Sequence, residues 1–335
     1  MTYQIIVKDL SGNAIGEIDR FKNLTYKRVL NREGDFSFDM SMLDQKANST
    51  YIAHRQREVY IYRDGQVVFG GDMFLDSGTA KFTNDDIFTV SGKGFLNRLI
   101  NRYSDPGFDS TGDAGSEFQT LFNTTNALSS TGITVGTVQT SVSREVQADR
   151  KQLYQVATDL SGMKNGFDIE VTQTKVLNIW YPKGSDKSLT ARFAKGRNIA
   201  QIDFTHDFSK PVNEAIVQGQ GFGGAMPEEI TDNTNLQGTY GLLQDVIPYK
   251  DATDTQQLLD LGAQEILKRG VPQLQLKVYQ QPGSDPDWSG LDVGDYVQVD
   301  VDHGYLVVHN VLRISIIEVT YNNGVEQVAY TLGAV

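Results

Sequence analysis

His54, His206, His303 and His309 are the 4 histidines of the chain, and two of them lie among carboxylates. Asp203, His206 and Asp207 form one such stretch; Asp300, Asp302 and His303 form another. Imidazole beside carboxylate is metal-ligand chemistry, but neither stretch has the H-E-x-x-H spacing that sets two imidazoles on one helix face. Solvated strand ends are the reading that this spacing supports. Asp285, Asp287, Ser289 and Gly290 occupy positions one, three, five and six of a calcium loop of the EF-hand kind. The closing position needs a bidentate Glu and holds Tyr296, and Pro282 and Pro286 favour an acidic surface turn. Gly219, Gly221 and Gly224 match G-x-G-x-x-G, a motif that cradles pyrophosphate only where it follows a strand and opens a helix. Met226-Pro227 and a polar, Asn-rich stretch follow instead, so a glycine-rich loop is expected. Trp180, Tyr181 and Trp288 have ring faces that could stack on sugars, although such aromatics serve cores and interfaces equally well.

Composition removes other chemistries. The sequence has no cysteine, which excludes disulfides, thiolate metal sites and cysteine nucleophiles. It contains no Walker loop and no G-x-S-x-G elbow. A formal charge of −12 disfavours tight nucleic-acid binding over the surface as a whole, because a phosphate backbone is gripped by Lys and Arg. No apolar run approaches the roughly 20 residues that span a bilayer, so no membrane insertion is expected. The N-terminus enters a strand pattern without a basic and then apolar segment, which points to synthesis in the cytoplasm. No catalytic residue, cofactor or metal is assigned.

With 335 residues, the chain is long enough for two or three domains. The stretch from Arg57 to Asp72 is its clearest local structure. Val59 and Ile61 alternate with Tyr60 and Tyr62, Asp64-Gly65 follows, and Gln66 to Phe69 returns as a β-rich run. Asp-Gly between two such runs signals a hairpin whose type I′ turn needs positive φ at both central residues. Before it, Phe36, Phe38, Met40 and Met42 alternate with Asp35, Ser37, Asp39 and Ser41, the pattern of a strand with one wet face. Tyr3–Lys8 and Asn23–Leu30 read as earlier strands, Met73–Phe82 and Asp86–Ser91 as later ones.

At Leu96, Leu99, Ile100 and Tyr103 the period turns helical. Tyr103 to Gly115, rich in Ser, Asp and Gly, reads as a linker or loop. Helices are expected from Ser116, from Asp149 and from Thr253 to Lys268, the last closed by Gly270-Val271-Pro272. Thr131–Ala148 reads as strand or extended loop, and Phe167–Thr172 with Val176–Tyr181 as a hairpin. From Ile199 onward strands dominate again. The expected class is therefore mainly β with α+β, divided into a β-barrel domain over 1–100, an α+β module over 101–198, and a second β-barrel domain with a long helix over 199–335.

The order of these parts carries a resemblance. REGDFSFDM at Arg32 to Met40, VYIYRDGQVVFGG at Val59 to Gly71 and SGKGFLNRL at Ser91 to Leu99 are followed by LYQVATDLSG at Leu153 to Gly162 and LNIWYP at Leu177 to Pro182. VNEAIVQGQG at Val212 to Gly221, a helix before Pro272 and LDVGDYVQV at Leu291 to Val299 complete the series. This succession resembles the tail hub proteins of long-tailed bacteriophages. The resemblance implies two tail-tube-like β-barrel domains flanking a smaller α/β module. It also implies a homotrimeric ring whose six barrels match a sixfold tube, with a tail tube or distal tail protein on one side and a tip, fibre or spike protein on the other. Genomic DNA would pass through the lumen without specific binding, which an acidic lining would assist. Longer relatives carry receptor-binding or wall-degrading extensions; the chain stops after its last expected strand, so no lytic or adhesive role is expected. The alternatives are a carbohydrate-binding β-protein using Trp180 or Trp288, with the Asp285 loop for calcium, and a hydrolase with scattered carboxylates.

Overall fold

A computed structural model of the protein describes residues 1–74, 86–250 and 253–333. Its N-terminal strands are β1 (Tyr3–Asp9), β2 (Ala14–Ile18), β3 (Lys22–Val29), β4 (Arg32–Ser41), β5 (Arg57–Arg63), β6 (Gln66–Met73) and β7 (Ile87–Gly94). The Asp64-Gly65 turn between β5 and β6 has φ of 48° and 82°, as a type I′ hairpin requires. The strand expected at Met73–Phe82 lies, beyond Phe74, outside the described residues.

The middle of the chain begins with a 3-10 turn at Phe95–Leu99, in the stretch whose spacing predicts a short amphipathic helix. It continues with β8 (Phe108–Asp113), α1 (Ala114–Leu128), β9 (Thr134–Val138), β10 (Ser143–Ala148), α2 (Leu153–Gly162), β11 (Asp168–Val171) and β12 (Val176–Trp180). The supposed linker at Tyr103–Gly115 thus contains a strand: β8 pairs antiparallel with β10, a partner its Ser/Asp/Gly composition did not announce. Asp113, not Ser116, caps α1, its carboxylate accepting from Ser116 N at 2.9 Å. α2 starts at Leu153, later than Asp149.

The remaining elements are β13 (Arg192–Ala194), β14 (Ile199–Asp207), β15 (Glu214–Gln218), β16 (Glu228–Asp232), α3 (Thr234–Tyr240), β17 (Gln244–Pro248), α4 (Thr255–Arg269), β18 (Gln273–Gln280), β19 (Tyr296–His303), β20 (Leu306–Asn322) and β21 (Val325–Gly333). Asp254 caps α4 by accepting from Gln257 N at 2.7 Å, one residue beyond the expected Thr253.

The architecture is mainly β, as expected, and its two β-rich ends are one sheet. A 13-stranded sheet runs β14-β18-β21-β20-β3-β4-β7-β6-β5-β1-β2, with β19 joined to β20 and β13 to β19. The junction is the antiparallel β3–β20 pair, in which Tyr26 stands opposite Val319 and Arg28 opposite Ile317. One hydrophobic core serves both ends, from Ile5, Tyr26, Phe36 and Phe38 to Val299, Ile314, Val319 and Tyr330. Burial of each such side chain contributes about 1.5–3 kcal/mol, so the halves stabilise one another. Among the described residues the path does not close on itself: β14 and β2 are its ends. A separate core, built on Phe118, Phe122, Leu153, Phe167 and Ile179, holds the middle elements together. A third unit is the small sheet β16-β15-β17, with α4 packed against β15 through Val217 and Leu258.

Candidate assembly surfaces

Two buried polar clusters fix these parts relative to one another. In the first, Glu326 on β21 accepts from Arg63 Nε and Nη2 on β5 at 2.8 and 3.0 Å, from the Tyr3 hydroxyl on β1 at 2.5 Å and from the Trp288 indole at 2.8 Å. Burial pushes the Tyr3 phenol far above its ordinary value, helped by Tyr26 and Glu326, so it remains a neutral donor. In the second, Glu58 on β5 is fully buried and accepts from Arg98 at 2.7 Å, from Lys175 at 2.9 and 3.0 Å and from the Tyr60 hydroxyl at 2.8 Å. Arg98 also holds Asp72 of β6 at 2.5 and 2.8 Å. Burial would lower the Arg98 pKa, but its bonds to Asp72 and Glu58 outweigh that and raise it. Arg98 and Lys175 belong to the middle elements, so this cluster anchors them to the outer face of the β5–β6 hairpin. Tyr60 is buried for the same reason, its ring 5.8 Å from that of Phe95. The alternation seen at Val59 to Tyr62 therefore does not have a wet side at Tyr60.

The outer face carries a row of charge in register. Lys8 stands opposite Glu58, Glu58 opposite Asp72, Asp72 opposite Lys93, Lys93 opposite Asp35, Asp35 opposite Lys27 and Lys27 opposite Glu318. Beyond it, Lys277 on β18 faces Asp203 on β14 and reaches across β21 to Glu318 at 2.8 Å. A second row, Gln327, Thr320, Thr25, Ser37 and Ser91, is uncharged and hydrogen-bonding. The middle elements cover the Glu58 end, and Lys27, Asp35, Lys93, Lys277 and Glu318 are half-buried.

Two further surfaces are exposed and apolar. On the side of the small sheet away from α4, Ile230, Ile216 and Val246 lie in one cross-strand row, Ile230 and Val246 being 55% and 51% exposed. At the β19–β20 turn, Tyr305 is 82% exposed and lies 6.3 Å from the Phe204 ring and 5.9 Å from His206. Contiguous apolar patches of this kind mark protein contacts.

The residues with candidate chemistry are dispersed. Strand alternation sends His206 to the face opposite Asp203 and Asp207, and Asp207 accepts from Ser209 N. Asp300 accepts from Arg192 Nε at 2.5 Å and contacts His309 Nδ1 at 3.2 Å. Asp287 caps the turn at Ser289, and Trp288 is buried with its ring under the Arg63 guanidinium, which removes it as a sugar platform. Gly219 to Gly224 form a loop with a short 3-10 turn leading into β16, with no helix to receive a pyrophosphate. Among the described residues no three His, Asp or Glu are gathered as a metal site. The seam between sheet and middle elements, lined by Asn31, Glu33, Ile169 and Lys183, encloses only about 50 Å³.

No family model and no curated protein matches the sequence. Solved structures do match the fold. The 43 kDa tail protein of prophage MuSo2 from Shewanella oneidensis superposes with a TM-score of 0.69 at 12% identity, over 99% of this chain and 98% of that one. A tail protein from Neisseria meningitidis gives 0.69 at 14% identity, over 99% and 97%. Prophage tail protein gp18 from Listeria monocytogenes gives 0.62 at 11% identity, over 98% and 94%. The chain therefore has the fold of phage tail proteins, over its whole length.

Proposed function

We propose that this chain is a structural virion protein: the hub at the distal end of a phage tail tube, three copies of which form a ring. The observation that carries this reading is the end-to-end likeness to prophage tail proteins. A sheet with two open ends supports it, since β14 of one copy and β2 or another edge of the next can continue the wall. In this reading the large sheet supplies the wall, and the middle elements from Phe95 to Trp180 brace it from the Glu58 side. The hub joins a tail tube or distal tail protein to a tip, fibre or spike protein, and the genome passes through its channel. The exposed row Ile230–Ile216–Val246 suits one of these partners. The role in this reading is structural and non-catalytic. Gold-labelled antibody against the protein, applied to assembled phage particles, tests the placement. Label at the tail end supports it; label confined to the head, or absent from the particle, refutes it.

A further inference from the structure

We infer that the face of the small sheet β16-β15-β17 turned away from α4 is the seat of a basic amphipathic helix from another protein. The inference rests on the reading above only in taking the row Ile230–Ile216–Val246 as a contact surface. What it adds is the chemistry of the cover.

Strand alternation puts residues two apart on one face, so the apolar row has a margin on each side. The register sets Asp232 opposite Glu214 on one margin and Glu228 opposite Gln218 on the other. Glu228 and Asp232 are exposed and Glu214 is half-buried. Among the described residues none of these carboxylates enters an ion pair. Gln218 Nε2 donates to Glu228 at 2.9 Å and Gln244 Nε2 donates to Glu214, amide bonds that leave the charge in place. Asp245, on the side toward α4, is by contrast neutralised by Arg269 at 2.7 Å. The matching surface is therefore an apolar stripe with Lys or Arg on both margins.

Spacing selects a helix. Neighbouring strands lie about 4.8 Å apart, and same-face residues along a strand about 6.8 Å. The row thus advances by about 4.8 Å per residue, with carboxylates about 7 Å to either side. Apolar positions i, i+4 and i+7 of a helix advance by about 4.5–6 Å per step. A strand laid along the row would advance by about 6.8 Å and fall out of step. A second copy of this chain does not supply the cover. The same face laid against itself would set these carboxylates against one another. Helices α1, α2 and α3 contain no Lys or Arg, and in α4 Lys268 is bonded to Gly162 O and Arg269 to Asp245 and Glu265. Anionic lipid and nucleic acid would be repelled by the same acidic margins.

The probe is a fluorescently labelled synthetic peptide with leucines at i, i+4 and i+7 spacing, lysines on both flanks of that stripe and alanine elsewhere. It is titrated with the full chain at low salt. Anisotropy is expected to show saturable binding, and circular dichroism a gain of helix on mixing. E214Q/E228Q/D232N is expected to bind the peptide at least tenfold more weakly, and I230S/V246S likewise. D105N/D149N/D302N, which removes as much charge at exposed positions elsewhere, is expected to bind as the unaltered chain does. A peptide of the same composition with its leucines scattered around the helix is expected to stay free. Circular dichroism of each variant alone establishes that it is folded, and D232N, with a smaller loss expected, repeats the test should the triple variant unfold. An unaltered chain that leaves the peptide free overturns the proposal. So does binding that the folded acidic-margin variant retains in full, or that the scattered peptide matches. The assay reads the chain in solution, so its failure removes the helix and leaves the tail-end placement to the antibody label.

Discussion

Arg63 on β5 and Glu326 on β21, separated by 263 residues of sequence, form a two-pronged buried ion pair at 2.8 and 3.0 Å. It joins the first hairpin to the last strand inside the common core. Removing one partner leaves the other charged and buried, which costs about 3–5 kcal/mol. Glu326→Ala should therefore lower the unfolding free energy by that amount, and Glu58→Ala should do so comparably by stranding Arg98 and Lys175. Chemical denaturation is the check, and a loss under about 1 kcal/mol, the scale of a surface pair, would contradict the account of either cluster.

Two glycines separate steric from conformational demand. A Cβ at Gly92 would come within 2.2 Å of the Phe36 ring and 2.3 Å of the Asp72 carbonyl oxygen. Gly92→Ala should cost about 1–3 kcal/mol or more through overpacking. At Gly65 nothing lies within 4 Å, but φ is 82°. Gly65→Ala should cost only about 1–2 kcal/mol, from the left-handed backbone alone. Thermal unfolding of the pair should rank Gly92→Ala as the more damaging.

Acid sensitivity should trace in part to Asp295. Burial would raise its pKa, but the Lys187 ammonium at 2.8 Å and the backbone N–H groups of Asp292 and Ser185 hold it below the ordinary carboxylate value. A depressed folded-state pKa contributes stability that is present above the unfolded value of about 3.9 and is lost as pH falls through the folded one. The unaltered chain should lose stability as pH drops below about 5. Asp295→Asn should be less stable at neutral pH and should show a shallower decline over that acid range, measured as denaturation midpoint against pH.

The exposed row on the small sheet should matter to assembly and not to folding. Ile230→Lys with Val246→Lys places charge on positions that the monomer leaves open, where substitutions shift stability by about 0.5 kcal/mol or less. The unfolding temperature should hold while incorporation into particles falls, as read by the protein content of purified tails. Normal incorporation would remove this row from the contact surface.

Much of the local structure was legible because it depends on local chemistry. Asp64-Gly65 announced its turn, and the Phe36 to Met42 alternation its wet and dry faces. What escaped depends on distant partners. β8 reads as linker until β10 pairs with it; β2 and the small-sheet strands β16 and β17 are only 5 residues each; α3 lies in a stretch without helical periodicity. Tyr60 reads as the wet side of a hairpin until Phe95 and Arg98 cover it. The union of the two β-rich ends rests on the β3–β20 register, and no periodicity within either strand encodes which strand lies beside it. The candidate surfaces escaped for the same reason: Lys27 and Glu318 are unremarkable singly and form a row only once their strands are adjacent.

The central claim is the hub ring, and the most direct measurement is a three-dimensional reconstruction of the assembled tail that counts copies of this chain around the axis. The account predicts three copies at the distal end of the tube, enclosing a continuous channel. A single copy off the axis, or a stack of six-copy rings along the tube, would contradict it.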